Sequence, residues 1–152
     1  MTTAAPHAHH GVHFGRKDIQ LLAMGAGVVW ALVGIFGFIP GLTQDYSSLK
    51  FLGPDSHAML FSVFQTSMLL NIVQLVIGVV GIVMGRSAAG ARRYLMWFGG
   101  LLAVLAIYGF VTGTSAANVF ASTMVDNWML IVLGLLMAGS GWYVAHNVED
   151  QT

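Results

Sequence analysis

Side chains able to do chemistry are few in this chain of 152 residues, and they are unevenly placed. His7, His9, His10 and His13 stand within one short stretch near the start. Neutral imidazole is a common metal ligand, but no carboxylate and no helical register fixes a geometry among these four, so the spacing allows only weak metal binding. Asn71 and Gln74 lie one helical turn apart inside an apolar run, Gln65 precedes that run, and Asn127 opens a later one. An amide in hydrocarbon must find a hydrogen-bond partner, at roughly 0.5–2 kcal/mol per bond. Gln65, Asn71, Gln74 and Asn127 are therefore candidates for polar helix contacts, with Asn127, Tyr108 or a neighbouring backbone carbonyl as expected partners of Asn71. The functional alternative is a polar pocket built by the same four residues, holding a lipid headgroup or small ligand.

Chemistry inside a membrane usually declares itself through buried titratable groups. Here Asp18, Asp126 and His146 fall at the ends of apolar runs, where a helix cap or headgroup contact is the ordinary explanation. There is no HExxH, no glycine-rich phosphate loop and no Ser/His/Asp set. With no cysteine, disulfides, thiolate-bound zinc and iron–sulfur clusters are excluded for this chain. The expectation is a protein that is not an enzyme, with no catalytic, cofactor-binding or metal-binding residue.

The elements that position these amides are four apolar segments sharing one pattern. NIVQLVIGVVGIVMG carries Asn71, Gln74, Gly78, Gly81 and Gly85 on one helical stripe. Equivalent offsets give Gly27, Trp30, Gly34, Gly37 and Gly41, then Gly99, Leu102, Ala106, Gly109 and Gly113, then Asn127, Leu130, Gly134, Met137 and Gly141. A small or short polar residue at every seventh position describes membrane helices packed closely along small-residue seams. Gly34, Gly78, Ala106 and Gly134 are the expected packing positions at mid-seam.

Composition agrees, since 57% of residues are hydrophobic and only 8% charged, against about a quarter charged in ordinary globular domains. The uncharged stretches exceed the ~20 residues needed to cross a hydrocarbon core. The net charge of zero carries no message about nucleic acid, and no nucleic-acid partner is expected. Residues 1–17 have nothing to bury and read as a disordered cytoplasmic tail lacking the apolar core of a signal peptide. The transmembrane domain is expected over 18–146, with spans at about 19–39, 66–84, 94–112 and 128–145, and a polar tail at 147–152. Pro40-Gly41 is expected to stop the first span, Asp55 or Ser56 to start a helix, and Asp126-Asn127 to cap the fourth span. Residues 56–65 read either as an interfacial helix or as an extension of the second span.

Arg16, Lys17, Arg86, Arg92 and Arg93 lie on the side shared by both termini and the middle loop, opposite Lys50 alone. The positive-inside rule then puts both termini in the cytoplasm, in a multi-pass protein of the inner (plasma) membrane. The halves also look duplicated: GFIPG at 37–41 matches GFVTG at 109–113, and Asn71 with Gly78 matches Asn127 with Gly134. The offsets are 72 and 56 residues, so the first outer loop is 16 residues longer than the second.

On VGIFGFIPGLT at 33–43, FQ at 64–65, the asparagine of LNIVQL, SAAN at 115–118 and DNW at 126–128, the chain resembles the bacterial, mainly actinobacterial, four-span family labelled domain of unknown function 4383. The resemblance covers Gly27 to Gly141. It implies a pair of two-span units with no assigned activity. Similar proteins often carry histidines around the two asparagines, where this chain has Leu70, Gln74 and Leu130, so any metal or cofactor role of those histidines does not carry over. The expected fold is an all-α integral membrane four-helix bundle of two tandem two-span units. The expected function is a non-enzymatic scaffold or accessory subunit of a membrane complex, with a small-ligand or lipid-binding bundle as the alternative. Membrane lipids, and a membrane-protein partner or a second copy of the chain, are the expected partners.

Overall fold

The computed structural model describes residues 16–113, 115–120 and 122–149, with side chains described to Val144 in the last helix. The four histidines of the N-terminal tail and residues 150–152 lie outside the described residues, as does the side chain of His146. Four α-helices dominate: α1 (Arg16–Phe36), α2 (Met68–Met84), α3 (Ala88–Thr112) and α4 (Met124–Glu149). Between α1 and α2 a small antiparallel sheet forms from β1 (Thr43–Gln44), β2 (Met59–Leu60) and β3 (Phe64–Gln65), in the order β1-β2-β3. Helix α1 packs chiefly on α2 and α3 chiefly on α4, and the two pairs meet mainly through α1 and α3.

The seams follow from missing side chains. A methyl group on Gly27 would stand 2.7 Å from Gly78 O, and one on Gly34 would stand 2.6 Å from Asn71 O, so the backbones of α1 and α2 touch there. The α3/α4 pair is built alike, with Gly99 against Gly134 O at 2.7 Å and Gly134 against Gly99 O at 2.7 Å. Ala106 is fully buried and belongs to the central apolar cluster with Trp30, Ile77, Leu102, Leu130 and Met137. Glycine and alanine here allow backbone-to-backbone approach that any larger residue prevents.

The outward faces are apolar, with Leu21, Val29, Val76, Val104, Val111, Leu135 and Leu136 all exposed. Such a continuous apolar exterior has no place in water and is what hydrocarbon solvates. Among the described residues, three helices are long and apolar enough to cross a membrane, over Arg16–Phe36, Ala88–Thr112 and Met124–Val144. The 17 residues of α2 make a rod of about 26 Å, slightly under a typical hydrocarbon core of roughly 30 Å.

Several boundaries differ from the sequence expectation, each for a local reason. Helix α1 begins at Arg16 and ends at Phe36, short of Ile39. Phe38 and Ile39 bond back by only three residues, which tightens the end, and the Thr43 hydroxyl folds back to donate to Phe36 O (3.2 Å) and Gly37 O (3.3 Å). Helix α2 starts at Met68 behind Ser67, whose hydroxyl accepts from Leu70 N–H. Helix α3 starts at Ala88 rather than Tyr94, because Ser87 caps it by accepting from Gly90 N–H (3.1 Å) and the alanines and arginines next in the chain are good helix formers.

Helix α4 starts at Met124, four residues before Trp128, and its cap is Thr123 rather than Asp126-Asn127. The Asp126 carboxylate accepts from Thr123 N–H (2.7 Å) and the Thr123 hydroxyl (2.6 Å), while Asp126 N–H donates back to Thr123 Oγ1 (3.4 Å). This reciprocal arrangement is a capping box with aspartate at the third helical position. At its other end α4 runs on to Glu149, into the stretch expected as a tail.

Residues 56–65 are neither an interfacial helix nor an extension of α2. Gly53–Asp55 is a single 3₁₀ turn ended by Ser56, and β2 and β3 pair as Met59 with Gln65 and Leu60 with Phe64. Phe61 and Ser62 take positive φ, 52° and 63°, at the connecting turn. Ser56, Ala58 and Leu60 are buried while His57 and Phe61 are exposed, a period of two that marks extended chain.

Candidate functional site

The polar residues gather at the end of the bundle where α1 and α3 finish and α2 and α4 begin. The long loop is tied down there by Gly53 N–H donating to Val119 O (2.7 Å) and by the Ser67 hydroxyl donating to Phe120 O (3.5 Å). The Ser56 hydroxyl donates to Thr66 O (2.6 Å), and Gln65 Nε2 donates to Ser56 O (2.5 Å). The backbone of Gln65 also lies beside the Asp126 carboxylate, where β3 packs against α4. In the second connection, Asn118 Nδ2 donates to Gly113 O and Ser122 O, both at 2.7 Å, and Asn118 Oδ1 accepts from Ser122 N–H and its hydroxyl.

Asn71 is fully buried, and its Oδ1 accepts from the Thr66 hydroxyl at 2.5 Å. Its partner is therefore the residue just ahead of its own helix, rather than Asn127, Tyr108 or a carbonyl of another helix. The amide fills the space that Gly37 leaves open, since a side chain on Gly37 would collide with it. Asn127 is used in the same way against Gly109, but its Oδ1 has no hydrogen-bond partner, because the Ser122 hydroxyl beside it turns to Asn118. Tyr108 is engaged elsewhere, its hydroxyl donating to Ala117 O.

Gln74 lies deeper, at the bundle centre. With Trp30, Leu102 and Leu130, the same stripe position of each helix, it lines a small space of about 20 Å³, and its Oε1 has no partner. Such a space has room for about one water molecule. Gln65 and Asn127, by contrast, share a larger cavity of about 450 Å³ with Gly53, Pro54, His57, Gly109, Phe110, Gly113, Thr123 and Met124. The four amides thus do not converge: two line the outer cavity, one fills a helix seam and one faces the centre. The contributions of Pro54, His57 and Thr123 carried no sequence signal, because their meeting with α3 depends on how the loop folds back. Among the described residues, no group of three or more His, Cys, Asp and Glu is gathered as a metal site.

Apolar helices long enough to span, a lipid-like exterior and close small-residue seams define a helical membrane protein. The chain belongs to the family described as Domain of unknown function (DUF4383), whose model matches residues 20–143. No curated protein and no solved structure matches it.

Proposed function

We propose that this protein is a non-enzymatic scaffold or accessory subunit of a membrane complex, crossing the bacterial cell membrane four times with both termini cytoplasmic. The observation that carries this reading is the combination of closed, backbone-tight seams inside with a broad unpartnered apolar surface outside, on which exposed Trp97, Val111 and Leu135 offer contact to lipid or to another membrane helix. The short α2 spans with slight thinning of the bilayer, a modest cost. Orientation is supported by Gln20 Nε2 donating to Arg86 O (2.7 Å), which joins the basic start of α1 to the basic α2–α3 connection at one end.

Descent from two tandem two-span units is supported by contacts that recur at the 72- and 56-residue offsets. Gly27 with Gly78 corresponds to Gly99 with Gly134, Gly37 with Asn71 to Gly109 with Asn127, and Gly85 with Met24 to Gly141 with Met96. The caps correspond as well, Ser67 to Thr123.

Topology is tested by reporter fusions at Gln151 and within residues 43–50; an extracellular C-terminus refutes the proposed orientation. Function is tested by purification from membranes in mild detergent followed by native mass spectrometry. A scaffold or accessory subunit brings a larger assembly with it, and reproducible turnover of an added substrate would overturn the reading. A second reading, a lipid- or small-ligand-binding bundle, is favoured by one observation, the 450 Å³ cavity with its polar inner wall.

A further inference from the structure

The two junctions between the helix pairs are not alike. Helix α2 packs on α3, and there the fully buried Tyr94 ring fills the space over Gly81 and lies 4.9 Å from the Phe98 ring, centroid to centroid. At the 72- and 56-residue offsets the matching junction is that of α4 with α1, where contact is slight. Leu22 stands there in the place of Tyr94, and Gly139 and Ser140 in the places of Val83 and Met84. Met137, at the position of Gly81, recovers part of the volume of the ring, yet a groove of about 330 Å³ stays open. Ile19, Leu22, Leu135, Gly139, Tyr143 and Val144 are among its walls. A side chain on Gly139 would meet nothing within 4 Å, and the Ser140 hydroxyl is turned onto its own helix, donating to Met137 O (2.8 Å).

The dimensions of the groove fit an acyl chain. From Leu135 to Val144 it follows α4 for about 13 Å, close to the ~15 Å depth of one leaflet, half of a hydrocarbon core of about 30 Å. A docked helix would need roughly 400–600 Å³ for each turn and would run on through the other leaflet. The end at Ile19 and Val144 lies at headgroup level, marked by exposed Trp142 and Tyr143. Arg16 and Lys17, both exposed, stand in the first turn of α1, directly ahead of Ile19. Among the described side chains, this end of the bundle carries Arg16, Lys17, Arg86, Arg92 and Arg93 against Asp18 alone. We infer that the groove between α1 and α4 holds one acyl chain of an anionic phospholipid, whose phosphate lies against Arg16 and Lys17. The site is separate from the 450 Å³ cavity at the other end, and it rests on the lipid-binding form of the second reading.

The test uses the full chain in nanodiscs, with native mass spectrometry reading retained lipid from equimolar phosphatidylglycerol and phosphatidylcholine of identical acyl chains. The inference expects preferential retention of phosphatidylglycerol. That retention should fall about tenfold in Gly139→Leu, which fills the groove without a clash at its first carbon. Gly100→Leu makes the same change in open space on the exposed face of α3 and should leave retention as it was. Replacing both Arg16→Gln and Lys17→Gln should keep a bound lipid but remove the preference for the anionic one. Leu22→Trp, which fills the groove from an exposed position on α1, keeps the test decisive if Gly139→Leu fails to fold. Equal retention of the two lipids by the unaltered chain would overturn the inference. Retention lost in Met124→Trp, at the outer cavity, but untouched by both groove variants would overturn it while leaving the lipid-binding reading standing. Retention insensitive to all three would overturn both. Displacement of the lipid by glycerol 3-phosphate at equal concentration would overturn the acyl-chain assignment, because the groove would then contribute nothing.

Discussion

Gly78→Ala is the most direct probe of the seam between α1 and α2. The added methyl would stand 2.6 Å from Ala31 Cα and 2.6 Å from Gly27 O, and closer still to Ala31 N, where ordinary contact begins at 3.4 Å. All three are backbone atoms, so no side chain can swing aside and the two helices must part by about 1 Å to restore ordinary contact at the nearest of them. A gap of that size forfeits a quarter to a half of each dispersion contact along the seam. Overpacking of this kind costs about 1–3 kcal/mol. Alanine is also a better helix former than glycine by about 1 kcal/mol, which would mask part of the loss. The control is Gly25→Ala, in α1 but with nothing within 4 Å of the new methyl, so it receives the helix-propensity gain alone. Steric trapping or thermal unfolding in detergent should therefore rank Gly78→Ala below Gly25→Ala by about 1–3 kcal/mol. Equal stability of the two variants would mean that Gly78 is not a helix contact, and the small-residue seam would have to be given up as the organising feature.

Asn71→Leu should cost about 1 kcal/mol, since it removes the hydrogen bond from Thr66 and puts a branched side chain against Gly37; unfolding in detergent measures it, and a stabilised variant would contradict the seam described here. Thr123→Ala should cost about 0.5–2 kcal/mol through loss of the capping box, read by the same assay and by fraying of α4 in hydrogen exchange; unchanged protection of Asp126 and Asn127 would count against that cap. Gly37→Ala and Gly109→Ala should each be destabilising by about 1–3 kcal/mol, because each methyl meets an asparagine side chain. A large penalty at one position and none at the other would speak against equivalent two-helix units.

The sequence by itself determined that this is a helical membrane protein of its family, and which stripe of each helix is inside. Asn71, Gln74, Gly78 and Gly81 are buried in α2, and Asn127, Leu130, Gly134 and Met137 in α4. Such positions are legible because helix periodicity and the missing bulk of glycine are local properties that survive without knowledge of neighbours. Helix starts at Ala88 and Met124 are less legible, because charged residues suggest the edge of a span where Ser87 and Thr123 in fact set the beginning. What only the tertiary structure decided is the outer end. Residues 56–65 form a hairpin whose flanks, Gly53 and Ser67, are held by the connection at Val119 and Phe120, a pairing across more than fifty positions that no local pattern encodes. The same long-range closure separates the four amides. Gln65 and Asn127 meet across the cavity because β3 packs against α4, while Asn71 and Gln74, one turn apart on α2, are committed to different surroundings by the helices that face them.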